Sequence, residues 1–152
     1  MIKKLVLCVF IAWITQGTSF DVAKVLLEKQ LQDQTCVKEL NFDSTHLSNI
    51  FDENFIVRRP IHPNTIEFYE CNIRKFHLIK ADGQLNREPL IDKLVRLGPL
   101  LLKDKIDDCA AHDLWQTLYN SCSAAKGTSP LEKIIDFHDC VIIELAKLSI
   151  TE

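Results

Sequence analysis

Six cysteines and five histidines are the side chains of this sequence best suited to chemistry. Cys8, Cys36, Cys71, Cys109, Cys122 and Cys140 would pair as disulfides in an oxidising compartment, and would ligate metal or act as nucleophiles in a reducing one. His46, His62, His77, His112 and His138 can each change charge between pH 5 and 8. His112 and His138 are each followed by an aspartate, the pairing in which a carboxylate can orient an imidazole base. No nucleophile elbow, His-Glu-x-x-His motif or Cys-His zinc spacing accompanies them. The reading is a chain that is not an enzyme, with no cofactor and no metal site.

The amino terminus indicates the compartment. Met1-Ile2-Lys3-Lys4 is a short basic start, and Leu5–Ile14 is an unbroken apolar run. Gly17 and Ser19 then offer small residues for cleavage. This is the plan of a secretory signal peptide over residues 1–19, and the apolar run is too short to span a bilayer. The expected product, residues 20–152, is one secreted, extracellular domain without stable membrane insertion. It retains five cysteines, an odd number, so at least one is unpaired or paired between chains. Spacing alone leaves the pairing open. The net charge of −3 gives no cationic footprint, so no nucleic-acid partner is expected.

Helices must position these groups. Apolar residues recur at helical spacing over Phe20–Glu39, Ser44–Phe51, Thr65–Ile79, Pro89–Leu97 and Asp107–Lys126, and from Pro130 onward. Asp43 is a good N-cap. Arg58–Pro63 breaks the chain with two prolines, Asp82-Gly83 signals a turn, and Gly98-Pro99 is expected to end the fourth helix. Ser129-Pro130-Leu131-Glu132 is a compact start signal with a capping box. Nothing shows strand-like alternation. The fold class is all-α, about six helices.

Two stretches resemble the insect odorant-binding protein family, the pheromone-binding and general odorant-binding proteins. Glu67-Phe-Tyr-Glu-Cys71 before Asp82-Gly83 is similar to that family's third helix and following turn. Cys122, Leu131 and Cys140 stand on a ladder of nine-residue steps that the family fills with three cysteines. Glu67 and Leu131 occupy the places of the family's second and fifth cysteines, which pair with each other there. Their joint loss resembles the "minus-C" branch. The resemblance implies the disulfides Cys36–Cys71 and Cys122–Cys140. Cys109 is left over and is read as a buried free thiol, ahead of an intermolecular bridge. Taking Cys109 as the fourth cysteine would leave Cys140 unmatched.

The resemblance implies a compact disulfide-linked bundle around an apolar cavity. It further implies a secreted carrier that takes odorants, pheromones or other small lipophiles through aqueous fluid. A chemosensory receptor is an implied partner, and the oligomeric state is monomer or weak dimer. The lining candidates are Phe51, Phe55, Tyr69, Ile73, Phe76, Leu94, Leu114, Trp115, Leu118, Tyr119, Ile134, Phe137 and Val141. Tyr69, Trp115 and Tyr119 would serve as polar handles. The alternative is a salivary or seminal scavenger of amines or lipids; an amine binder would turn acidic residues such as Glu67, Glu70 or Asp113 into the cavity. Acid-triggered release through the histidines is a further implication. Phospholipases A2 share the His-Asp pair, but Ile134-Ile135 stands where they carry cysteines, and four glycines cannot build their calcium loop.

Overall fold

Caps and prolines decide where the helices begin. The computed structural model describes residues 34–102, 108–124 and 126–150. Among them are six helices and no strand: α1 (Thr35–Glu39), α2 (Ser44–Ile50), α3 (Pro63–Phe76), α4 (Arg87–Leu102), α5 (Asp108–Cys122) and α6 (Pro130–Ile150). The leader expected over 1–19 and the stretch from Phe20 to residue 33 lie outside the described residues. The helix expected over Phe20–Glu39 is not continuous, since Gln34 is extended and α1 begins only at Thr35.

The Asp43 carboxylate accepts the amides of Thr45 at 2.9 Å and His46 at 3.1 Å, which starts α2. Helix α3 starts two residues earlier than its apolar spacing suggests. His62 Nδ1 accepts the Asn64 amide at 3.0 Å, and Pro63 takes a position where a missing N–H costs nothing. At the other end His77 adopts a left-handed φ of 53°, and its carbonyl accepts from Asn86 at 2.9 Å. The Asp82-Gly83 turn follows, with Gly83 at φ 83° and the Asp82 carboxylate accepting the Gln84 amide at 3.0 Å. Ser129 Oγ accepts the Glu132 amide at 3.1 Å at the start of α6, and the Glu132 carboxylate reaches back to the Thr128 amide at 2.9 Å.

Two further expected boundaries are corrected. Helix α4 does not stop at Gly98-Pro99 but runs to Leu102. Apolar residues continue beyond the proline at 100–102, although a proline inside a helix removes one bond and crowds the preceding turn. Helix α5 stops at Cys122, short of Lys126, where the chain is tied to α6.

Helices α1, α2 and α6 each pack on α3, and α5 packs between α4 and α6. Disulfides join Cys36 of α1 to Cys71 of α3, and Cys122 of α5 to Cys140 of α6. Each bridge stabilises by on the order of 2–4 kcal/mol, mainly by restricting the unfolded chain. Cys109 is also disulfide-bonded. This corrects the free-thiol reading: Cys109 is exposed on α5, where a thiol gains nothing as a small buried hydrophobe.

Gly127 sits hard against the first turn of α6. A Cβ there would lie 2.6 Å from the Glu132 carbonyl carbon and 2.7 Å from the Lys133 nitrogen, both backbone atoms. At Gly83 a Cβ would meet nothing within 4 Å, so only its positive φ opposes substitution. Urea unfolding should therefore rank the variants: Gly83→Ala costs about 1 kcal/mol, and Gly127→Ala costs more, roughly 2–3 kcal/mol. Equal costs would show that the α6 start yields freely.

Candidate functional site

Helix α6 supplies one wall of a partly open cavity. Ile134, Phe137, His138, Val141, Ile142 and Leu145 line it, spaced i, i+3, i+4, i+7, i+8 and i+11, which is one continuous helical stripe. Helix α3 contributes Phe68, Tyr69 and Asn72, again one face. Leu90, Lys93 and Leu94 of α4 oppose them. Gln34, Leu78, and Phe51 and Phe55 from the α2–α3 loop complete the described lining. The cavity volume is about 130 Å³. One water needs only ~10–15 Å³, and an engineered apolar cavity of roughly 150 Å³ holds benzene, so this space suits a small organic molecule.

The loop that carries Phe51 and Phe55 is fastened to α6. Phe51 and Val57 form an antiparallel bridge across its neck, and the Arg58 amide donates to the Ile50 carbonyl at 2.8 Å. Within it, the Asp52 carboxylate accepts the amides of Asn54 at 2.8 Å and Ile56 at 3.0 Å. Phe55 has a left-handed φ of 61°, a conformation a bulky residue holds only when its surroundings insist. Here the Phe55 ring is buried and its carbonyl accepts from His138 Nε2 at 2.8 Å. That partner makes Nε2 the protonated nitrogen of the neutral ring. Next in sequence, the Asp139 carboxylate accepts the Val57 amide at 3.0 Å and Arg59 Nη2 at 3.1 Å.

Aromatic edges and faces surround this junction. The His138 ring lies 5.2 Å from that of Phe51 and 6.1 Å from that of Tyr69, and Phe51 meets Phe68 edge-on at 5.9 Å. Burial lowers the His138 pKa, against the opposing effect of the bond to Phe55 and the nearby Asp139. Burial raises the Tyr69 pKa well above its ordinary value, so the hydroxyl stays protonated. That hydroxyl is buried with no hydrogen-bond partner among the described residues.

Of the sequence-based candidates, Phe51, Phe55, Tyr69, Leu94, Ile134, Phe137 and Val141 line the cavity. Trp115, Leu118 and Tyr119 do not: they are buried on α5, which packs on α4 and α6. Leu114, Ile73 and Phe76 are half-buried against the hydrophobic core and also lie off the cavity. Phe68, Leu90, Ile142 and Leu145 were missed, although continuing the helical stripes through Tyr69, Leu94 and Val141 reaches each of them. Gln34, Asn72, Leu78, Lys93 and His138 lacked such a signal, because polar residues, and a leucine in a turn, do not announce a lining role.

The sequence model of the PBP/GOBP family matches residues 18–143. The chain belongs to the PBP/GOBP family. That family consists of binding proteins, and the all-helical fold with its two bridges among the described residues is consistent with it. No curated protein and no solved structure is similar enough to this PBP/GOBP chain to match it.

The α6 junction makes two expectations. Asp139→Ala removes the acceptor of the Val57 amide, so that amide should exchange its hydrogen much faster, with a stability loss of roughly 1–3 kcal/mol. Unchanged protection at Val57 would mean that the loop is held elsewhere. For His138 the sign follows from its lowered pKa. The unfolded chain takes up the proton near pH 6.5 while the folded chain resists it, so this contribution to stability is present above about pH 6.5 and is lost as pH falls toward the folded pKa. His138→Gln can still donate to Phe55 and does not titrate. Its stability deficit relative to wild type should shrink between pH 7 and pH 5 in urea melts.

Proposed function

We propose that this PBP/GOBP chain is a secreted carrier of small lipophilic molecules, such as odorants or pheromones, held in the α3–α4–α6 cavity. It acts by binding and not by catalysis. The observation that carries the reading is a mostly apolar chamber of about 130 Å³, and Tyr69 in its lining has a buried hydroxyl with no partner among the described residues. Burial of such a donor without a bond costs roughly 1–3 kcal/mol, which a ligand acceptor would recover.

Magnitudes support a need for that anchor. Burying roughly 200 Å² of ligand at about 25 cal/mol per Å² contributes about 5 kcal/mol. Association costs at least ~4 kcal/mol, so apolar contact alone leaves little net affinity. Tyr69 is the polar handle in this reading, since Trp115 and Tyr119 lie off the cavity. Secretion fits the disulfides, which persist outside reducing compartments, and no helix among the described residues is long and apolar enough to cross a membrane. The minus-C reading belongs to the same proposal: Glu67 is exposed on α3 and Leu131 packs half-buried against the core. An amine scavenger is disfavoured, because Glu67, Glu70 and Asp113 are all exposed and the described lining contains no acidic residue.

A fluorescent apolar probe tests the reading. Wild type should bind it and release it to an added lipophile. Val141→Phe fills the chamber and should weaken binding at least about tenfold while the helical circular-dichroism signal persists. Tyr69→Phe should weaken ligands carrying a hydroxyl or carbonyl by roughly threefold to tenfold and leave a hydrocarbon unaffected. A wild-type protein that binds no apolar probe would refute the carrier role.

A further inference from the structure

The polar side of the cavity is electropositive. Lys93 of α4 is half-buried in the lining, opposite the α3 face that bears Tyr69 and Asn72. Its ammonium lies 3.3 Å from Asn72 Oδ1 and 3.7 Å from the centre of the Phe76 ring. Asn72 is itself buried, at 4% exposure, and is fixed by its Nδ2 donating to the Phe68 carbonyl at 2.8 Å. An amide oxygen and an aromatic face thus hold the cation in place, but neither neutralises it. No carboxylate among the described residues lies within ion-pair distance of Lys93. Burial lowers its pKa to about 8, with Arg96 adding positive charge nearby, so at neutral pH the ammonium is still mostly charged.

Tyr69 and Asn72 are three residues apart on α3, so their Cα atoms differ by only about 4.5 Å along the helix axis. The Tyr69 hydroxyl on α3, and the Lys93 ammonium that reaches Asn72 from α4, both retain spare donor capacity. A buried cation without a counterion is costly, and a ligand that brings a negative charge removes that cost.

Resting on the carrier reading above, we infer that the cavity prefers lipophiles with a single anionic head, such as a carboxylate, which pairs with Lys93 while the tail fills the apolar chamber. The anion would replace bulk water around the ammonium with a charge-assisted hydrogen bond, the strongest kind available to this lining. An alcohol of equal length would keep the Tyr69 contact but forgo the ion pair. An amine of equal length would place like charges together.

Calorimetric titration of the full chain at pH 7 with octanoate, octan-1-ol and octylamine tests this. The expected order is octanoate tightest, octan-1-ol weaker by roughly tenfold, and octylamine weakest. Lys93→Met should bring octanoate down to the level of octan-1-ol, whereas Lys93→Arg should retain the preference. Wild type binding octanoate and octan-1-ol equally would overturn the anion preference and leave the carrier role standing. Failure to bind any of the three would overturn both. Because the wild-type ranking stands without a variant, misfolding of Lys93→Met would not rescue the inference.

Discussion

Three consecutive residues on α6 hold this molecule's interior open. His138 binds the Phe55 carbonyl, Asp139 binds the Val57 amide and Arg59, and Cys140 is bridged to Cys122. On a helix, successive residues are about 100° apart, so the three point in different directions and fasten different neighbours. One fastens the rim of the loop beside the cavity, the next its outer strand-like edge, and the third the neighbouring helix α5. The loop that carries Phe51 and Phe55 therefore cannot fall into the chamber without breaking bonds to a helix that is itself covalently tied.

That restraint matters because hollow cores are unfavourable. At about 24 cal/mol per Å³, a fully enclosed void of this size would cost on the order of 3 kcal/mol, an upper bound for a pocket that is partly open. The usual escape is relaxation of the surrounding walls. Here two of the three walls are restrained: α3 by Cys36–Cys71, and α6 by Cys122–Cys140 together with the loop. Each bridge contributes about as much as the chamber costs. A guest that fills the chamber gives back part of the same free energy, which couples ligand binding to stability.

Much of this was legible in the sequence because helices declare themselves through spacing and caps. Asp43, Pro63 and Ser129 mark helix starts for local reasons, and the α6 stripe from Ile134 to Val141 can be read directly. The α4 boundary was not legible: a Gly-Pro pair is a local signal, whereas the helix continues through it. The α5 candidates failed for a different reason. Trp115 and Leu118 have the size and polarity of lining residues, but apolar character alone does not distinguish a wall facing a chamber from one facing another helix. Lys93 was overlooked because a lysine is ordinarily assigned to the surface, and only tertiary packing reveals that its stem crosses a cavity wall.

The same distinction governs how the orphaned polar atoms are interpreted. Thr65 Oγ1, Tyr69 Oη and Trp115 Nε1 are all buried without partners among the described residues. Trp115 is fully buried within packed helices, and Thr65 lies in the first turn of α3, so neither borders the cavity. Their unmet bonds are a cost of packing, tolerated because each side chain brings apolar contact. Tyr69 Oη alone of the three belongs to a residue that lines the cavity. An unsatisfied donor indicates a ligand only where an acceptor can reach it, and the Tyr69 hydroxyl is itself covered, so a guest in the cavity meets it only if the ring or its neighbours shift.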